Sequence, residues 1–498
     1  MIYLDRRHVL MGASGLLARA LLPASAEATG ELLKPAAMQA DIAILFDAYA
    51  SLHPGLYRYL TPVEFERERQ RLDRLAETPR SLGDFYLAIT TFTASIRCGH
   101  SYPNPSNQPP PVAAALFGKP DRLPFAFGWL DRRMIVTADL GSGHHLPAGS
   151  EVVAIDGIGT RDILARMLPY ARTDGSSDAR KVADLGIPGD ANQPTFDVLR
   201  TLLFPTSDPF ARVLVRADGR TTAITCPLIT ATARDAALSP PSKGSPYGWT
   251  FEKRGNVGIL SMPTWAVFHE KWDWRGFIDA SVDTAIDRNL LGIVIDIRDN
   301  GGGLDCGAAI IARLIEAPLA ADSYSRHVRY RKIPDRLAPY LKTWDRSFKD
   351  WGASAIGPDA AGFYTLTRAG DASDTDTIQP KGRRFAGKVT VLVGPKNASA
   401  TFGFANLIQR HRLATLIGEQ TGGNRRGING GAFFFVQLPG SGIEVDLPLI
   451  AYWPDTPQPD AGIAPDIIVP ARAADLQAKR DVVLARAISI TTGHFTVL

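Results

Sequence analysis

Cysteine is scarce in this sequence: Cys98, Cys226 and Cys306 are the only three in 498 residues. Three thiols cannot make a disulfide scaffold, and their spacing is not that of a zinc site, so metal chemistry has no support and no cofactor is expected. Runs of like charge are also missing. The 55 basic and 51 acidic residues, net +4, are dispersed, with no basic stripe interleaved with aromatics, which argues against a nucleic-acid partner. No segment has 18 uninterrupted apolar residues, so no membrane span is expected in the mature chain. With 45% apolar and 21% charged residues, wholesale disorder is excluded as well.

The first 28 residues read as an export signal. Arg6-Arg7 is a twin-arginine pair, an apolar stretch runs from Val9 to Leu22, and Ala24-Ser25-Ala26 supplies small residues for cleavage. The expected destination is the bacterial periplasm; the other reading is an amphipathic first helix.

Residues 35–105 carry apolar positions at helical spacing and are expected to form a helical domain. Thr61, Pro62 and Glu64 make a strong helix start. Residues 120–234 alternate short β-type runs with turns. Their strand, Asp156-Gly157 turn and helix, introduced by Leu146-Pro147-Ala148-Gly149, resemble a PDZ-like peptide-binding module. Residues 235–248, rich in Ser, Pro, Gly and Ala, are expected to be a linker. From 249 to 498 apolar strands alternate with amphipathic helices, an α/β layout.

Three loops in this last region carry chemistry. Asp296-Ile297-Arg298-Asp299-Asn300-Gly301-Gly302-Gly303 follows an apolar strand; its glycines permit close backbone approach and outward amides that can hold an anionic oxygen, or make a plain turn. Gly394-Pro395-Lys396-Asn397-Ala398-Ser399-Ala400-Thr401 precedes an amphipathic helix. Ser399 there reads either as a helix cap or as a nucleophile activated by helix amides. Gly418-Glu419-Gln420-Thr421-Gly422-Gly423-Asn424-Arg425-Arg426-Gly427 is the third.

In order, and closed by Gly462-Ile463-Ala464-Pro465-Asp466, these runs resemble those of the tail-specific or C-terminal processing peptidases and the core of tricorn protease. Those families carry Asp-Leu-Arg-x-Asn-x-Gly-Gly, Ser-Ala, Gly-Glu-x-Thr-x-Gly and Gly-Val-x-Pro-Asp. Upstream, His53-Pro54-Gly55-Leu56-Tyr57 and Cys98-Gly99-His100-Ser101 look like their helical N-terminal domain. The resemblance implies a ClpP/crotonase-like spiral ββα catalytic domain over 249–498, serine-type hydrolysis of peptides or protein tails, and Ser399 as nucleophile. It also implies oxyanion donors from Gly302 or Gly303 and from Ala400.

Two departures from the family matter. The lysine base of the bacterial processing proteases is replaced by Asn424, and Arg425 and Arg426 stay protonated. Likeness to tricorn instead implies a histidine base from an upstream domain, and His100 stands at the matching place, with His53 the alternative. The same likeness implies an orienting carboxylate at Asp460, with Asp455 as runner-up. Phe402 stands where relatives often have Glu. Arg425 or Arg426 is a candidate to hold a substrate carboxylate. The missing lysine leaves a second reading, a non-hydrolytic peptide- or lipophile-binding protein on the same fold. If the loops carrying Cys98 and Cys306 meet, these two thiols are placed to bond.

Overall fold

The computed structural model describes residues 32–493 except 145, 189–193, 239–244, 269–270, 321–323 and 368–376. The expected export signal and the middle of the expected linker lie outside the described residues, and the helix Ala231–Leu238 occupies the start of that linker.

Three helices open the described chain: Pro35–Leu52, Pro62–Leu75 and Leu82–Ser95. The second starts where its sequence says. The Thr61 side chain accepts from the Glu64 amide while Glu64 reaches back to the Thr61 amide, satisfying donors that the first turn leaves unpaired. Phe46 and Phe92 stack at 4.3 Å between the helices. This helical layer continues into another core: the same apolar cluster runs through Phe434, Val436, Val445 and Leu447. Those residues belong to the strands Ile428–Gln437 and Glu444–Pro454, paired antiparallel at the centre of a sheet that also takes Tyr324–Val328. Asp41, fully buried, fastens the two layers by accepting from the Gly440 and Ser441 amides; burial raises its pKa to about 6.

The middle region is an antiparallel sheet in the order Phe125–Leu130, Arg133–Asp139, Glu151–Ile155, Phe210–Ala217, Arg220–Pro227. The Asp156-Gly157 turn joins Glu151–Ile155 to Ile158–Gly159 with both residues at positive φ, +51° and +81°, the geometry a tight hairpin demands. Helices Thr160–Met167 and Thr195–Leu203 pack on this sheet.

The last region is built on a mainly parallel sheet. Its strands are ordered Ile467–Ile468, Thr415–Gly418, Lys388–Val393, Gly292–Asp296, Val257–Ser261 and Thr250–Arg254, only the final pair being antiparallel. Such a sheet must be covered on both faces, which explains why Val389–Val393 is buried without a break, Thr390 included. Helices Trp274–Asp287 and Ser399–Arg410 cover one face and Val482–Thr492 the other. The chain is thus a mixed α/β protein with several sheets.

One expectation is corrected. Cys98, Cys226 and Cys306 are all free and buried, so the Cys98–Cys306 bond is not formed. The two lie in different cores, Cys98 among the N-terminal helices and Cys306 beneath the parallel sheet. Burial raises the pKa of each thiol, that of Cys226 to about 11.

Candidate active site

Because Gly292–Asp296, Lys388–Val393 and Thr415–Gly418 run parallel as neighbours, the three motif loops that follow them open at one edge of the sheet. In open α/β sheets that carboxyl edge is where ligands bind. Two buried asparagines lace the first two loops together. Asn300 Oδ1 accepts from the Gly302 amide at 3.0 Å and the Trp265 amide at 3.2 Å, while its Nδ2 donates to Met262. Asn397 donates to the Asn300 and Ile297 carbonyls and accepts from the Gly394 amide. Neither asparagine is exposed, and the conformation of both loops depends on them.

Ser399 is the first residue of the helix Ser399–Arg410 and has φ of +52°. A non-glycine residue there costs about 1–2 kcal/mol, and such strain clusters at functional sites. Space explains how the turn survives. A Cβ on Gly302 would lie 2.9 Å from Ser399 Cβ and 2.8 Å from the Ala398 carbonyl, so only glycine lets the loops meet. The Ser399 side chain therefore does not cap the helix. That task falls to Thr401, which accepts from the Ala398 amide and donates to the Ala398 and Asn300 carbonyls. Among the first-turn amides, that of Ala400 has no intrahelical acceptor. The Gly302 amide is engaged by Asn300.

The third loop is tied to the Ser399 turn, as the Gly422 and Gly423 amides both donate to the Asn397 carbonyl. Phe402 packs where a Cβ on Gly423 would stand, 2.4 Å away, so its ring fills the space beside this loop. Thr421 is stitched to the closing motif: its amide donates to the Ile463 carbonyl, and its hydroxyl accepts from the Ile463 amide at 2.8 Å. Asp466 receives the Leu416 amide and the Gln409 side chain.

His100 arrives from the other side. The segment after it is fixed to Glu444–Pro454, where Asp446 accepts from Asn104 and Asn107 and its amide donates to the Tyr102 carbonyl. This sets the His100 ring over Gly430 of the neighbouring strand, about where a Cβ at 430 would be 3.8 Å from it. His53 supports the loop from within. Its Nδ1 accepts from the Gly55 amide at 3.1 Å, so its Nε2–H donates to Ser101 Oγ at 2.9 Å. Burial lowers its pKa to about 3, which keeps it neutral and makes it a support for its neighbour, unsuited to be a base.

Asp174 and Arg180 connect the two sides. Asp174 accepts from the Gly99 amide at 2.8 Å and from Arg180 Nη1 at 2.8 Å, and Arg180 lies against Gly422, its Cβ 3.0 Å from where a Cβ at 422 would stand. Sequence reasoning missed both, as it missed Asp446: an isolated charged residue gives no motif, and only the fold reveals that it is buried.

Asp460 is engaged by Tyr59 Oη, the Ser176 amide and hydroxyl, and Asn424 Nδ2 at 2.6 Å, with Arg426 Nη1 at 3.7 Å. Burial pushes its pKa up, yet these hydrogen bonds outweigh it and hold the carboxyl below its usual value. Asn424, at the lysine position, is buried and also donates to the Asp174 carbonyl. Arg425 is exposed and donates to Gln458. Asp455 lies in the exposed turn that follows Glu444–Pro454. Among the described residues no three His, Cys, Asp or Glu side chains gather as metal ligands.

Residues 256–469 match the profile of peptidase family S41. The whole fold is similar to two solved structures: mature CPAF complexed with lactacystin, with a TM-score of 0.63 at 15% identity over 92% of this chain and 99% of that one, and mature CPAF, with 0.59 at 14% over 93% and 99%. At such identity the likeness is one of fold. No curated protein matches the sequence.

Proposed function

We infer, from the match of residues 256–469 to peptidase family S41, that the chain is a serine peptidase with Ser399 as its nucleophile and His100 as its base. The observation that carries the reading is Ser399 itself, held at φ +52° against Gly302 on the carboxyl edge of the sheet. A residue kept in that conformation without capping its helix is explained by exposure of its hydroxyl to a substrate.

In this mechanism His100 takes the Oγ proton as the bond from Oγ to the peptide carbonyl carbon forms. The same proton passes to the departing amine as the C–N bond breaks. Water then attacks the acyl-enzyme, His100 receives its proton, and that proton returns to Ser399 as the acid leaves. Since Asn300 engages the Gly302 amide, the Gly303 and Ala400 amides are the donors we assign to the oxyanion. The Asp174–Arg180 pair, reaching from the His100 loop to the Ser399 side, supports the convergence of base and nucleophile. Asp460, expected to orient the base directly, is bound instead to Tyr59, Ser176 and Asn424, so its role in this reading is to hold the loops around the base and not the imidazole. Arg426 already faces Asp460, which favours Arg425 as the group for a substrate carboxylate.

The substrate is a peptide or protein tail. Arg6-Arg7 and Ala24-Ser25-Ala26 support export to the periplasm. Mass spectrometry of peptides incubated with the mature chain tests the reading: hydrolysis lost in Ser399→Ala is the expected result. Binding without cleavage by the wild type would favour a non-hydrolytic protein instead.

A further inference from the structure

The strand Ile428–Gln437 presents two kinds of face. Ala432, Phe434 and Val436 turn into the core shared with the helices, while Phe433 and Phe435, alternating with them, are only half-buried. Phe433 and Phe435 thus stand on the face turned away from that core. They are extended by Trp344, whose ring centroid lies 5.9 Å from Phe433 and 5.8 Å from Phe435, and by Phe348, 5.4 Å from Trp344. The wall begins at the site: the His100 and Phe433 rings are 5.8 Å apart, tilted by 57°. Next to them Gly430 has no side chain to fill the space in front of the imidazole.

A half-exposed aromatic row joined to a catalytic ring marks a place where apolar groups bind. Which part of the substrate lies there follows from the proton's route. The imidazole that delivers a proton to the departing amine must face that amine, so the residue that begins the leaving peptide is on the His100 side of the scissile bond. We propose that Phe433, Trp344 and Phe435 form the subsite for that residue's side chain, and that the enzyme selects peptides with an aromatic or large aliphatic residue immediately after the cleaved bond. This rests on the Ser399–His100 reading.

The test compares kcat/KM for two peptides that differ only after the scissile bond, phenylalanine in one and alanine in the other. Wild type should favour phenylalanine by about 10-fold or more, the discrimination an apolar pocket provides. Phe433→Ala and Trp344→Ala should each bring the ratio close to one, and Phe433→Leu should keep most of it. The ratio is internal to each protein, so a partial folding defect cancels. A wild type that hydrolyses both peptides equally, or whose ratio survives both alanine variants, overturns the subsite. A wild type that cleaves neither peptide, nor any other, overturns the peptidase site beneath it.

Discussion

Arg180 donates from Nη1 to Asp174 Oδ2 at 2.8 Å, with side chains only 6% and 3% exposed. Asp174 also holds the Gly99 amide beside His100, and Arg180 lies under Gly422, whose amide is bound to the Asn397 carbonyl two residues before Ser399. A buried pair broken on one side leaves an uncompensated charge, at a cost of about 3–5 kcal/mol. Arg180→Met should therefore lower the melting temperature. It should also reduce kcat/KM by about 100-fold, the penalty of misplacing catalytic groups by about 1 Å. Adding Asp174→Asn should cost less than the sum of the two single changes. Additive losses in a thermal melt would show that the pair does not act as a unit.

The second prediction concerns acid. His53 titrates at about 3 when folded, because of burial, against an ordinary 6.5. Between those values the unfolded chain binds a proton that the folded one does not. Stability is therefore fully present above pH 6.5 and falls as pH drops toward 3, by on the order of 5 kcal/mol in total. Asp41 has the opposite sign: raised to about 6 from 3.8, it contributes stability below pH 3.8 that is lost as pH rises through 6. Comparing melts of wild type and His53→Gln from pH 7 to 4 isolates the histidine. The variant should show the shallower decline; parallel curves would mean that His53 is protonated in the folded state.

A third prediction follows from Asn424. Its side chain is buried and points to Asp460 and the Asp174 carbonyl, so placing there the lysine of the bacterial processing proteases should not introduce lysine-base chemistry. Asn424→Lys should lower hydrolysis by about 10-fold or more and leave the pH profile unmoved, since the new ammonium would pair with Asp460. Activity that rises, with a new base titrating in the profile, would mean a lysine at 424 can reach Ser399.

The thiols give a fourth. Cys98, Cys226 and Cys306 are buried and free, so a thiol reagent should react slowly with the native chain and titrate three groups once it is denatured without reductant. One reactive group in place of three would reveal a bond.

How much of this was legible in the sequence differs from residue to residue. The helix at Pro62 and the strands before each glycine loop were visible, because a capping box and an apolar run act locally. The three loops were recognisable as motifs, and the parallel sheet gives the reason that they lie at one edge. The positive φ of Ser399 was not legible, since it depends on Gly302, 97 residues away, leaving room. Nor were the partners of Asp460, which come from positions as distant as Tyr59 and Ser176. The shared core between the first helices and the strands Ile428–Gln437 and Glu444–Pro454 could not be read from apolar spacing either, because periodicity tells which face is buried and not against what.

Labelling by a fluorophosphonate tests the central claim most directly. The account predicts that wild type is labelled once, that the peptide carrying the label contains Ser399, and that Ser399→Ala takes none. His100→Ala should react about 100-fold to 10,000-fold more slowly, the range that a general base contributes. Label on another residue, or His100→Ala reacting at the wild-type rate, would contradict it.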